Sequence, residues 1–422
     1  MNFSLIIDQN CISSSDSSDY NDEYINHLIK VPKIHFSIDE INNGIDLVFS
    51  DSDDEISIGI NAIYKNTMKF FGDAKEMFNK RVIQRFFSLL ESDLHKENCF
   101  LLICRLFDIE EFQVSSKNLS VFVAFISSYP LYVLKGVISY SQHSKTNRDS
   151  VIGTNIFDIF LNQVEFPPGI FVEWLNLFVI LFVFPLEDND IFDRVIKKVF
   201  LYLRYDQYIY DAQIILIFAE CLVWSSSVYL YVNSLISNCQ DYFYSGNTIL
   251  IVNTIKFLNN LVKRIEDLPY LQTVIDFILN PISSDQIVFE SLLYIESCIS
   301  SHPNEIESTL LYLFNGTYDV IESRSISINI KVIDILSSAI CNCSPQSVSP
   351  LINEELLKYV FNYIDIESFN QTMHRFLKSL AYILSLTQTS NDHVKILAAI
   401  QESQILEGIP DEFFEEIEQF IL

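Results

Sequence analysis

The side chains best suited to chemistry in this chain are its thiols and imidazoles, and their spacing builds no site. Cys341 and Cys343 stand one residue apart. A tetrahedral zinc site would need a second pair of thiols or imidazoles at short spacing, and none follows. The pair therefore reads as two packed thiols. The seven histidines, His27, His35, His95, His143, His302, His374 and His393, form no His-x-x-x-His or His-Glu pair. No Gly-x-Ser-x-Gly elbow is present to expose a nucleophile on a sharp turn. No Gly-x-x-x-x-Gly-Lys-Ser/Thr or Gly-x-Gly-x-x-Gly loop could cradle a phosphate on backbone amides. Neighbouring acids such as Glu110-Glu111 and Glu415-Glu416 diverge around a helix rather than share a face. The residues thus predict a protein with no enzymatic activity, no cofactor and no metal.

Composition narrows what elements could carry any other kind of site. Nine glycines and eleven prolines in 422 residues are few, whereas sheets and nucleotide-binding folds spend glycine on turns and phosphate loops. Apolar residues make up 49% of the chain, enough for a continuous core of long helices joined by short polar turns. A formal charge of −28 repels nucleic acid and anionic lipid, and it suits a basic partner or simple solubility. The eight cysteines are scattered through apolar runs, the pattern of reduced thiols rather than a disulfide framework. The N-terminus lacks the basic and apolar regions of a signal peptide. The expected compartment is the cytosol or nucleus. The apolar runs 175–185 and 214–232 are too short or too interrupted, the second by Glu220, to span a bilayer.

The helical elements recur at a fixed interval. An apolar triplet at −3, 0 and +4, with polar Thr67 and Ser225 third in two cases, is anchored on Ile63, Ile103, Leu134, Leu175, Cys221, Leu258, Ile295, Leu336 and Leu380. The mean step is about 40 residues, within the armadillo and HEAT range. A second helix lies between anchors, as at 82–90, 120–127, 156–162, 193–203, 228–239, 271–279, 306–314 and 356–364. Pro130, Pro167-Pro168-Gly169, Ser245-Gly246-Asn247, Asn280-Pro281 and His302-Pro303-Asn304 punctuate the helix ends. Ser141–Ser150 reads as an exposed polar insertion. The expected architecture is all-α, a right-handed α-solenoid of about nine repeats over residues 36–402. Residues 1–35 read as an acidic, largely disordered tail, and 403–422 as an acidic capping helix. Ser13, Ser50 and Ser52 each precede an acid at +3, a short acidic-kinase pattern.

Residues 36–107 place an acidic turn before a helix ending in paired aromatics, then Val82-Ile83-x-Arg85-Phe86-x-x-Leu89-Leu90 and a further helix. This resembles the opening armadillo repeats of the importin-alpha family. The resemblance implies a groove in which Trp and an Asn four residues on hold an extended cargo peptide. In this sequence those positions fall at −2 and +2 from each anchor. They read Asn61/Lys65, Leu101/Arg105, Tyr132/Gly136, Glu173/Leu177, Ala219/Val223, Lys256/Asn260, Leu293/Ser297, Asp334/Ser338 and Lys378/Tyr382. None carries Trp, and only Asn260 keeps the Asn. The family's basic N-terminal segment is replaced by an acidic one. Both departures count against an import adaptor of the usual kind.

What remains is a candidate peptide-binding groove lined by Lys65, Arg105, Lys256, Asn260 and Lys378. Such a groove would attract an acidic, extended or disordered protein segment, and the chain's own residues 13–24 could supply one. The expectation is a non-enzymatic scaffold that binds protein, with neither nucleic acid nor membrane as partner. A divergent import adaptor, or a regulatory subunit of a phosphatase, kinase or ubiquitin ligase complex, is the alternative.

Overall fold

The structure is a computed structural model that describes residues 38–67, 77–109, 112–203, 208, 210–362 and 370–403. The expected acidic tail and all but the first residue of the expected capping helix lie outside the described residues. Every regular element among the described residues is helical, and no strand occurs among them. No described helix is long and apolar enough to cross a membrane. The chain divides into two compact units, one of residues 1–183 with 188–198, the other of 184–187 with 199–422.

The first unit contains α1 (Ile38–Val48), α2 (Asp53–Thr67), α3 (Lys80–Leu89), α4 (Lys96–Leu106) and α5 (Ser116–Val123), followed by a 3₁₀ turn at Ala124–Ser127. It continues with α6 (Pro130–His143), α7 (Lys145–Ile152), α8 (Ile156–Asn162), α9 (Pro168–Leu181) and most of α10 (Asn189–Phe200). The anchor-bearing helices stack in chain order, α2 on α4, α4 on α6 and α6 on α9. The second helices α3 and α5 pack behind them. At the start of the stack, α1 and α2 approach so closely that a Cβ on Gly59 would lie 2.6 Å from the Gly44 carbonyl oxygen. Only glycine fits there.

The second unit contains α11 (Asp211–Leu222), α12 (Tyr229–Phe243), α13 (Thr248–Val262), α14 (Leu271–Leu279), α15 (Asp285–Ser301) and α16 (Pro303–Ile321). It ends with α17 (Ile326–Asn342), α18 (Pro345–Val348), a 3₁₀ turn at Ser349–Leu351, α19 (Glu354–Phe361), α20 (Asn370–Thr387) and α21 (Asn391–Glu402). The stacking rule repeats, α11 on α13, α13 on α15, α15 on α17 and α17 on α20. Helices that pack mainly on their sequence neighbours are what an α-solenoid requires.

The anchors locate the core. All nine are at most 2% exposed, because the −3, 0, +4 pattern puts three apolar side chains on one stripe of a 3.6-residue helix. The helix starts follow from capping. Asn79, Ser115, Ser144, Asn247, Ser284, Asn353 and Ser390 each accept a hydrogen bond from a backbone N–H in the first turn of the helix they precede. Gly246 sits before α13 with φ of +71°, a conformation that L side chains resist.

One reading needs correcting. Ser141–Ser150 is not an exposed insertion: it spans the end of α6 and most of α7, and Ser141, Asn147 and Arg148 are buried. Ser144 caps α7, and the Asn147 Nδ2 donates to the Tyr140 carbonyl at 3.2 Å. These polar residues serve the backbone of the turn rather than solvent.

Candidate functional site

The chemistry-bearing side chains are mostly folded away. Burial pushes the Cys104 and Cys239 thiols up to about 12, and it also raises Cys341. Thiols held protonated in this way are poor nucleophiles. No group of three or more metal-ligating side chains occurs among the described residues. The buried His95 places Nε2 3.0 Å from Asp53 Oδ1 and Nδ1 3.4 Å from Ser57 Oγ. Asp53 and Ser57 lie one turn apart on α2, so the ring ties the start of α4 to α2 and presents no open face to a substrate. The chain separation of 42 residues hides this contact from the sequence.

The polar faces of the anchor helices differ between the two units. In the second unit they are stitched together. The Asn253 Nδ2 donates to the Ala212 carbonyl at 2.8 Å, and the Asn260 Nδ2 to the Ala219 carbonyl at 2.9 Å. The Arg264 guanidinium donates to the Val223 carbonyl. Each bond spans 41 residues, one repeat. Lys256 pairs with Glu290 at 3.5 Å, Lys331 with Glu296 at 2.6 Å and Arg375 with Asp334 at 3.2 Å. Burial raises the carboxyl pKa values of Glu220 and Glu290, and Lys256 partly offsets both shifts. Of the candidate residues here, Lys256 and Asn260 each already hold a neighbouring helix, and Lys378 is exposed on α20.

In the first unit the corresponding cations stand outward. Lys65 is exposed and takes part in no ion pair with the described residues. The Arg105 guanidinium carbon lies 6.0 Å from the centre of the Tyr64 ring, and its side chain is 40% exposed. Asp108, one turn on, is 4.0 Å from that guanidinium but accepts a closer bond, 2.8 Å, from the Ser139 hydroxyl. Lys135 is 62% exposed and only loosely paired, 3.9 Å from Glu173. Tyr132 is exposed on the same helix, one turn before Lys135. The Cys104 thiol reaches the Tyr132 carbonyl at 3.9 Å, which sets α4 and α6 in register at this height.

Lys65, Arg105 and Lys135 thus lie at +2, +2 and +1 from anchors on three helices stacked in order. Lys65 and Arg105 belong to this unit, whereas Lys256, Asn260 and Lys378 belong to the other. Lys135 and Tyr64 were missed by the −2/+2 rule because each sits one place off it. Arg375, Lys331 and Glu296 were missed because their partners lie on helices 35 to 41 residues away. A search for opposite charges one repeat apart would have found them.

No family model matches the chain, and no curated protein sequence matches it. The resemblance of residues 36–107 to importin-alpha therefore rests on those residues alone. Among solved structures, the crystal structure of an engineered protein is similar over 90% of this chain and 98% of its own, with a TM-score of 0.59 at 9% identity. That likeness shows a shared fold. A chain from a structure concerned with a phosphorylation switch in the interaction between cadherin and beta-catenin aligns over 90% of each chain at 10% identity, with a TM-score of 0.35, too low to carry an argument.

Proposed function

We propose that this chain is a non-enzymatic interaction scaffold of armadillo type, which holds an extended acidic segment of a partner protein across the solvent faces of α2, α4 and α6. The observation that carries the reading is the row of Lys65, Arg105 and Lys135, interleaved with Tyr64 and Tyr132, on successive helices. Tyrosine gives contact area at little entropic cost and arginine gives directed hydrogen bonds, which suits recognition of a peptide. The chain's net charge of −28 acts against an acidic ligand at long range. At physiological ionic strength charges are screened beyond roughly 8 Å, so the row and the acids beside it, Asp108 and Glu173, decide binding.

The test is a titration of the full chain with a labelled twelve-residue peptide bearing aspartate at every third position, read by fluorescence anisotropy at low salt. Binding is expected for the unaltered protein and lost, by about 30-fold or more, in K65E/R105E/K135E. That factor is about 2 kcal/mol, the sum of three modest surface ion pairs reversed. Preference for a charge-inverted, lysine-bearing peptide would overturn the proposal and favour a basic cargo.

A further inference from the structure

We propose that Ser50 is a phosphorylation site, and that Arg81 and Arg85 receive its phosphate. Ser50 lies in the turn between α1 and α2, and Asp51, Asp53, Asp54 and Glu55 follow it. A kinase with a basic substrate groove selects a hydroxyl followed by carboxylates, because the charges pair across the groove. Ser50 is half-buried. Its Oγ accepts a hydrogen bond from the Ser52 amide at 3.0 Å and donates to the Glu55 carboxylate. In the transfer, Ser50 Oγ bonds to the γ-phosphorus of a nucleoside triphosphate as the bond from that phosphorus to the β–γ bridging oxygen breaks. The nucleoside diphosphate leaves, and the hydroxyl proton passes to the kinase's base.

A phosphate set among acids is repelled unless cations stand beside it. Here α3 supplies them. The Arg85 Nε donates to the Val48 carbonyl at 3.0 Å, and the Arg81 guanidinium carbon lies 4.6 Å from the centre of the Phe49 ring. The two arginines thus rest on the two residues immediately before Ser50. They stand four apart on α3, so they share a face of that helix. Neither forms an ion pair with a described residue, although acids outnumber bases 55 to 27 in the chain. The acids of the turn do not claim them: Asp53 faces His95 at 3.0 Å, and Glu55 faces the Ser50 hydroxyl. A phosphate brings up to about two negative charges and three acceptor oxygens, which arginine meets with paired N–H donors. It also turns the Glu55 contact from attraction to repulsion. Modification therefore exchanges a contact within the turn for one that pins the turn to α3. The site lies at the opposite end of α2 from Lys65, so it stands independently of the peptide face.

The experiment incubates the full chain with an acid-directed protein kinase and magnesium ATP, and locates phosphate by mass spectrometry. Phosphate is expected on Ser50 and should be lost from that peptide in Ser50→Ala. Phosphate confined to Ser13 or Ser52, which have the same acid at +3, would overturn the assignment, as would a chain left unmodified. The arginine seat is read separately, on the full chain with phosphoserine incorporated at position 50 during translation. Hydrogen exchange of the amides of residues 49–56 is expected to slow about tenfold relative to the unmodified chain. In R81Q/R85Q the slowing should vanish while the helical spectrum stays native. R81Q alone, which keeps the Arg85 bond to Val48, should retain only about a threefold slowing. Full slowing in R81Q, or faster exchange in the phosphorylated chain, would overturn the seat.

Discussion

The two units use the same anchor-helix stripe and spend its polar residues differently. In the second unit, amides and cations of α13, α17 and α20 reach across to the preceding or following helix. In the first, Lys65 ends in solvent, Arg105 lies beside Tyr64 and 4.0 Å from Asp108, and Lys135 lies 3.9 Å from Glu173. The lesson is that a charged residue at a ladder position is not by itself a binding residue. Its availability depends on what stands one repeat away. A lysine opposite a half-buried glutamate helps hold the stack. Lys65, which forms no ion pair with the described residues, is left to meet a ligand.

That contrast can be broken by substitution. The largest effect on folding is expected from Asn253→Ala in the second unit, which leaves the Ala212 carbonyl buried without its donor. A loss of about 2 kcal/mol in urea unfolding is expected, with peptide affinity unchanged. A loss below a few tenths would mean that the repeat-spanning amides are not structural. Lys331→Met should cost about 1 kcal/mol by removing the 2.6 Å partner of Glu296. Lys65→Ala in the first unit should change stability by no more than about 0.5 kcal/mol while weakening the acidic peptide severalfold. If Lys65→Ala destabilised the fold as much as Lys331→Met, the distinction between the units would fail.

Ionic strength and pH sharpen it further. Raising salt should weaken peptide binding to the exposed row, because exposed charges are screened, and should leave the effect of Asn253→Ala on unfolding unchanged. The smallest effect concerns Glu220. Burial holds its carboxyl pKa above the ordinary value in the folded chain. The folded state then keeps a proton that the unfolded state has released, so Glu220 lowers stability at neutral pH. The loss is recovered as pH falls through the raised folded value. Between pH 7 and pH 5 the unaltered protein should gain stability more steeply than Glu220→Gln. Parallel slopes would show that Glu220 is fully solvated.

Much of the fold could be read one residue at a time. The −3, 0, +4 triplets found every stacked anchor helix, since a stripe that must be buried has to be apolar whatever lies opposite it. Leu271–Leu279 appears as α14 with the bounds expected from its apolar spacing. Ser245-Gly246-Asn247 marked a boundary because a cap acts on its own first turn, and Asn247 caps α13. Ser141–Ser150 misled because its serines and asparagine resemble a loop, and only packing shows that α7 buries Asn147 and Arg148.

The candidate site was less legible. The −2/+2 rule proposed Lys65, Arg105, Lys256, Asn260 and Lys378 as one set, and the fold divides them between two units. Local sequence determined which elements form, which stripe of each is apolar and where the acidic residues collect, because those depend on neighbours within a turn or two. Tertiary structure alone decided that Asn260 and Lys256 are engaged by adjacent helices while Lys65 and Arg105 face solvent. Those contacts join residues about one repeat apart, and their partners are chosen by how the helices stack rather than by the chain on either side.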